Sequence, residues 1–421
     1  MPRYPLSAIR MFYVMSALGS LSSGLIFTVN ILYQIQVVGL SPLQLVLVGT
    51  TLEVVAFFFE VPTGIIADVY SRKLSIIIGN VLIGVGFLVE GLIPAFGAVL
   101  LNQLIWGVGV TFTSGATQAW LVDEVGEERA GRVFLRAGQV GSVFGLLGTA
   151  LAALLGSITL ALPMLLGAGG LIILGIVLWL QMPETGFKPT PKGERNTFDH
   201  MTGTFREGLR RVRMSRVLPL VIAVMLVYGL YSEGYDRLNQ KHILTSFQFP
   251  AIGGFQPIVW FSLLSILLTL FSLGFTEALL RRLNTSNRRA LATALFWITV
   301  GMVGALIAFG LAPTLLVVIL AYLVFNTLRG LQGPLYDTWS NLYFESSVRA
   351  TMNSMMSQMN ALGQIAGGPI VGFASEGLTA RFGLGMALRL TMLLVGVMLT
   401  PAFWFLRRAR NIVEPASTDA V

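Results

Sequence analysis

"FFFEVPTGIIADVYSRK", residues Phe57–Lys73, decides how the rest of the chain is read. Three phenylalanines run directly into Glu60, Pro62 and Gly64. The apolar stretch then resumes and breaks on Asp68 and the basic pair Arg72–Lys73. An acid inside so apolar a run asks what medium surrounds it, and the composition answers. Of the 421 residues 55% are hydrophobic and 11% charged, with a mean hydropathy of +0.77. Soluble domains carry about 25% charged residues. Too little polar surface exists to cover a water-soluble body, which predicts an all-α integral membrane protein.

Composition also excludes several chemistries. The chain has no cysteine, hence no disulfide, thiol nucleophile or thiolate metal site, and its two histidines, His200 and His242, lie far apart in sequence. The sequence contains no Gly-x-x-x-x-Gly-Lys-Ser/Thr phosphate loop, so uphill work must draw on an ion gradient. No cofactor, metal or enzymatic activity is expected. The net charge of +8 is read as membrane orientation, not as affinity for nucleic acid.

Apolar segments of about 20 residues are the unit to count. Twelve are expected, near 9–33, 43–67, 74–93, 97–121, 133–156, 159–181, 217–240, 257–280, 290–311, 314–335, 352–375 and 384–406. The longest polar stretch, 182–216, divides six from six. The expected organisation is an N-terminal six-helix bundle over 1–181, a cytoplasmic linker over 182–216 and a C-terminal bundle over 217–421 with a short tail. Within the linker Phe205, Leu209 and Val212 share a helical face flanked by Arg206, Arg210, Arg211 and Arg213. That pattern is either a basic helix on the anionic leaflet or a solvated connector. All but five of the 28 lysines and arginines fall on the side shared by both termini. Arg237, Lys241 and Arg381 fall in external loops, and Arg329 and Arg389 within spans. Positive charge marks the cytoplasmic side, so both termini are expected inside a plasma or inner membrane.

The pattern Gly64-x-x-x-Asp68-x-x-x-Arg72-Lys73 between spans two and three, with the 6+6 organisation, resembles the signature loop of the major facilitator superfamily. Ser71 stands where that family usually has glycine. A weaker echo, Glu277-x-x-x-Arg281-Arg282, closes span eight, as internal repeats imply. The resemblance implies two pseudo-symmetric six-helix bundles and a cytoplasmic gate formed by this motif. Arg129 and Arg132 after span four, and Arg349 after span ten, are its expected partners. Gly64 is expected to admit a close helix neighbour. The alternative is that these charges only orient the loop.

The chain looks most like the twelve-span drug:proton antiporter branches, with two departures. Gln103-x-x-x-Gly107 stands where those branches have Arg-x-x-x-Gly. Span five carries Gly138, Gly141, Gly145 and Gly148 but no Gly-Pro pair, while "GQIAGGPIVG" occurs at 363–372 in span eleven.

Ionisable groups inside spans are functional candidates, because placing a charge at the helix centre costs about 2.5–3.5 kcal/mol. Glu53 and Glu60 share a face of span two. Burial penalises the charged form, so both are candidate proton carriers, with a structural hydrogen bond or a pair with Arg329 as the alternative. Asp236 is the third, expected to pair with Arg237 at an external gate, with an interfacial aromatic belt and solvated charges as the alternative. Arg389 is expected to pair with Glu376. The resemblance places a central cavity among spans one, four, seven and ten. It makes Asn30, Gln34, Gln103, Trp106, Tyr228, Tyr231, Tyr322, Asn326 and Arg329 candidate substrate contacts, each also explicable as helix packing. An apolar, aromatic lining suits hydrophobic or cationic drug-like molecules better than sugars. The function implied is proton-coupled efflux of small organic substrates by a lipid-embedded monomer. The alternatives are an importer or lipid or metabolite transporter of the same fold, and a non-transporting sensor or scaffold.

Overall fold

A computed structural model describes residues 7–188, 210, 212–250, 256–281, 283–344 and 349–412. Fourteen helices account for nearly all of them: α1 Ala8–Gln36, α2 Pro42–Val69, α3 Arg72–Leu92, α4 Phe96–Thr113, α5 Ala116–Val125, α6 Glu127–Gly156, α7 Ala161–Gln181, α8 Leu218–Ser246, α9 Pro257–Leu280, α10 Arg288–Leu311, α11 Leu315–Asn341, α12 Arg349–Phe382, α13 Leu384–Leu399 and α14 Pro401–Asn411. The all-helical outcome follows from lipid, which offers backbone groups no hydrogen bonds, so each span satisfies its own.

Two spans are broken. Gly115, at φ +71°, interrupts the fourth between α4 and α5, and Pro401 restarts the twelfth as α14. Pro62 leaves α2 continuous. Eleven helical spans are long and apolar enough to cross a membrane. Span eleven, α12, is not among them; it is long enough at 34 residues but carries Asn353, Ser354, Ser357, Gln358, Asn360 and Gln364. The protein is therefore a multi-pass membrane protein. Most of the basic stretch at 182–216 lies outside the described residues.

The chain forms two compact units, Met1–Thr197 with Phe249–Leu264, and Phe198–Gln248 with Ser265–Val421. In unit 1, α1 packs on α6 and α7, α3 on α4 and α7, and α2 on α4. In unit 2, α8 packs on α12 and α13, and α10 on α11 and α13. The first and fifth spans of each unit pack on one another, as do the first and sixth. A Cβ at Gly148 would lie 2.5 Å from the Leu21 carbonyl oxygen and 3.0 Å from the Gly24 Cα, so α1 and α6 touch backbone to backbone. A Cβ at Gly367 would lie 1.9 Å from the Leu230 oxygen, and one at Gly363 2.9 Å from the Gly229 Cα, so α8 and α12 do the same. Small residues permit this approach where no hydrophobic drive exists between helices. Gly64 does not belong to this set: a Cβ there meets nothing within 4 Å, which overturns its expected packing role. Gly138 is likewise open.

Gly367→Ala should therefore separate α8 from α12 and cost about 1–3 kcal/mol as overpacking does. Gly64→Ala should be neutral or gain up to about 1 kcal/mol of helix propensity. Thermal unfolding midpoints of the purified variants check both.

Candidate functional site

The signature loop assembles a polar network at one end of unit 1. Ser71 caps α3 by accepting from the Leu74 amide at 2.9 Å. Arg72 bridges two acids, Asp123 at 2.5 Å and Asp68 at 3.5 Å. Asp68 is 62% exposed and Asp123 25%, so the Asp123 contact is the less screened of the two. The segment 182–187, "MPETGF", straps this end together. Glu184 accepts from the Ser71 hydroxyl at 2.7 Å and the Lys73 amide at 2.8 Å, placing a carboxylate on the α3 N-terminus. Lys73 Nζ donates to the Met182 carbonyl at 2.8 Å, and Trp120 Nε1 to the Pro183 carbonyl at 2.7 Å. Glu124 accepts from the Thr185 and Gly186 amides.

The partners differ from those expected. Arg129 and Arg132 are exposed on α6, and Arg72 serves both acids. In unit 2, Glu277 and Arg281 form an exposed pair at 2.7 Å within α9, and Arg349 donates to the Phe344 carbonyl at 3.4 Å. Arg282 lies outside the described residues.

Each unit also holds a pocket. In unit 1 one of about 370 Å³ is lined by Phe12, Met15, Phe27, Ile83, Trp106 and Leu171, with Ser16, Ser23, Asn80 and Thr113 as its polar rim. In unit 2 one of about 190 Å³ is lined by Tyr228, Tyr231, Arg329, Gln332, Asn360 and Gln364. Tyr231 donates to Gln332 Oε1 at 3.0 Å, while Gln332 Nε2 has no partner among the described residues. Arg329 pairs with Asp236 through both guanidinium nitrogens, one contact at 2.7 Å. Behind this layer Asn326 donates to the Tyr235 hydroxyl at 2.6 Å and to the Tyr322 carbonyl at 2.8 Å.

The structure thus brings Tyr228, Tyr231 and Arg329 into one lining and Trp106 into the other. It does not bring the remaining candidates there. Tyr322 and Asn326 sit one layer back from the unit 2 pocket. Gln103 is fully buried, on the α4 face shared with Gly107, where Val55 and Leu52 of α2 pack. Asn30 and Gln34 both donate to Glu90 at 2.8 Å. Glu60 is exposed together with Phe58 and Phe59, so its expected burial among phenylalanines is overturned; Glu53 is half-buried.

Two expected pairs are also replaced. Asp236 takes Arg329 in place of Arg237, which pairs with the buried Glu233 at 2.7 Å. The seventh span runs to Ser246, so Arg237 and Lys241 are buried helix residues and not loop residues. Arg389 donates to the Ala312 carbonyl at 3.0 Å, capping the C-terminal end of α10, in place of Glu376.

Sequence reasoning missed Glu90, although the rule that singled out Glu60 applies equally to an acid in "GVGFLVEGL". It also missed Gln332, Asn360 and Gln364, whose signal was the lowered hydropathy of α12 and an amide nearly two turns beyond Asn326 in α11.

The family model described as Major Facilitator Superfamily matches residues 12–368. The chain belongs to the Major Facilitator Superfamily. It is 27% identical over 385 residues, 88% of its length and 90% of the relative's, to the Uncharacterized MFS-type transporter YxaM of Bacillus subtilis (strain 168). Its fold is similar to that of a mutant of the nucleoside transporter NupG, with a TM-score of 0.76 and 16% identity over 96% of this chain and 100% of that one. A bacterial homolog of the human lysosomal transporter Spinster gives 0.71 at 14% identity, covering 96% of each chain. A POT family transporter solved with a thioalcohol-conjugated peptide gives 0.70 at 14%, over 95% and 96%. The protein is a membrane transporter of this superfamily and not an enzyme.

Asp123→Asn should cost about 2 kcal/mol, since it removes a charge-assisted contact at short range. Asp68→Asn should cost under about 1 kcal/mol because that pair is solvent-screened. Unfolding midpoints separate the two. A transport defect in Asp68→Asn at near-native stability would then report gating and not folding.

Proposed function

We propose that the protein is a proton-coupled secondary transporter of the cell membrane that exports aromatic, amphipathic organic molecules by alternating access. In this reading it works as a monomer, in contact with lipid and with both termini in the cytoplasm. The observation that carries the substrate class is the contrast between the two pockets. Phe12, Phe27 and Trp106 offer an apolar, aromatic surface, whereas Tyr231, Gln332, Asn360 and Gln364 offer hydrogen bonds. The first lining suits a flat apolar body and the second suits a polar group, the two features of an amphipathic solute. Asp236 meets the charge of Arg329, so the polar pocket favours hydrogen bonding over a net countercharge. The proton enters this reading through the acids of the spans, Glu53, Glu60 and Asp236, together with the absence of a phosphate loop from the sequence.

A second reading has an observation of its own. The tyrosine and amide lining of unit 2 also suits a small polar solute taken up into the cell, such as the nucleosides and peptides named for the transporters of similar fold.

Purified protein in proteoliposomes with an imposed pH gradient should accumulate a lipophilic aromatic solute against its own gradient. Tyr231→Phe should raise KM several-fold with little change in maximal rate, because it alters a pocket hydrogen bond and not the helix framework. Flux of a nucleoside or dipeptide alone selects the second reading. Aromatic flux indifferent to the pH gradient overturns the proton coupling.

A further inference from the structure

Glu90 is a buried acid that neither the signature loop nor the pockets account for. It lies in α3, two residues before the helix ends at Leu92, and its side chain has 0% exposure. Three amides converge on its carboxylate. Asn30 Nδ2 and Gln34 Nε2, one turn apart on α1, both donate to Oε1 at 2.8 Å. Asn102 Nδ2 of α4 donates to Oε2. Tyr33 donates to the Glu90 backbone oxygen at 3.0 Å. A carboxylate meeting only donors is arranged as an anion. The same amides also carry two fully buried oxygens with no partner among the described residues, Gln34 Oε1 and Asn102 Oδ1. A half-turn of either amide presents an acceptor where a donor stood. Asn102 has that freedom because position 86 is glycine: a Cβ there would lie 2.4 Å from its Oδ1.

We propose that Glu90, with Asn30, Gln34 and Asn102, is a reversible protonation site that couples proton binding to occupancy of the unit 1 pocket. It rests on the transporter reading above and adds a carboxyl to the acids already considered. In the charged state the carboxylate accepts three charge-assisted hydrogen bonds that tie α1 and α4 to α3. In the neutral state the acid donates its proton to a turned amide oxygen, which gives a buried oxygen a donor while the tie to α1 and α4 weakens.

The site sits between the end of α3, exposed at Leu92 and Ile93, and the unit 1 pocket. On the other side Phe27, Phe87 and Trp106 form a ring cluster with centroids 5.1–5.5 Å apart. Each lies about one turn from a member of the polar cluster on the same helix, from Asn30, Glu90 and Asn102 respectively. Phe27 and Trp106 also line the pocket. Whatever fills the pocket presses on the helices whose register the protonation state sets, and the coupling is reciprocal.

Other titrating groups are few around it. On α1 they are Tyr33 at the cluster, and Arg10 and Tyr13 toward the opposite end. Neither α4 nor α7 carries a charged side chain. Along α2 lie Glu53, Glu60 and Asp68, and α5 brings Asp123 and Glu124 at the Arg72 end. A proton fits this site better than a metal cation, because the cluster is closed and no pocket residue belongs to it except through the ring layer.

Infrared difference titration of the full-length protein in lipid tests this directly. The wild type should show a protonated-carboxyl band that appears on acidification and is lost in Glu90→Gln. Saturating tetraphenylphosphonium, an aromatic cation used as the pocket probe, should shift its midpoint, and Phe27→Ala should abolish that shift while leaving the band. Gln34→Leu, which keeps the acid but removes one donor, should let the band persist to higher pH, and it serves if Glu90→Gln does not fold. A Glu90 band absent across the folded pH range, or one that Gln34→Leu leaves unmoved, overturns the site. A band that titrates but ignores the probe overturns the coupling. A midpoint set by sodium concentration at fixed pH would make it a cation site instead. Proton-driven flux with a silent Glu90 would leave the transporter reading standing without this site, and a titrating Glu90 without proton-driven flux would do the reverse.

Discussion

Lipid supplies no hydrogen bonds, and that constraint organises everything polar in this protein. Charged groups sunk in the spans find their partners inside their own bundle. Glu90 is met by Asn30, Gln34 and Asn102, Glu233 by Arg237, and Arg329 by Asp236. These partnerships replace the pairs that sequence proximity suggested. A side chain inside a helix meets residues on neighbouring helices or one turn along its own, and the adjacent residue points elsewhere. Asp236 therefore reaches α11, while Arg237 turns back to Glu233.

The same constraint explains the signature loop. Its charges sit where α2 ends and α3 begins, and they act chiefly as closures. Glu184 satisfies the start of α3, Arg72 gathers the ends of α2 and α5, and Trp120 holds the strap through the Pro183 carbonyl. A loop tied into three elements is a rigid part of its bundle. Any gating role then acts through the bundle as a body, which is how the fold is expected to move.

The two bundles share a framework and differ in what they display. Both close their first and fifth spans through glycine contacts at backbone distance. On that common scaffold unit 1 presents rings and aliphatic side chains, and unit 2 presents tyrosines, amides and an ion pair. Repetition preserves the helix crossings, because packing tolerates little change there, while the pocket positions are free to diverge.

Composition and span counting alone determined the membrane class and the helical fold, since these depend on transfer free energies summed over some twenty residues. The signature loop was legible for a similar reason: its residues are contiguous, so spacing carries its geometry. Partner identity was not legible. Glu60 looked buried because its neighbours are phenylalanines, yet Phe58, Phe59 and Glu60 are all exposed on one stretch of α2. Gly64 looked like a packing glycine and faces open space, whereas Gly363 and Gly367 carry the tight crossing. Asn30 and Gln34 looked like substrate contacts and instead hold Glu90. In each case the residue type was informative, but the face of the helix it occupies decided its role. Which faces meet is set by how six helices pack together, and only the tertiary structure contains that.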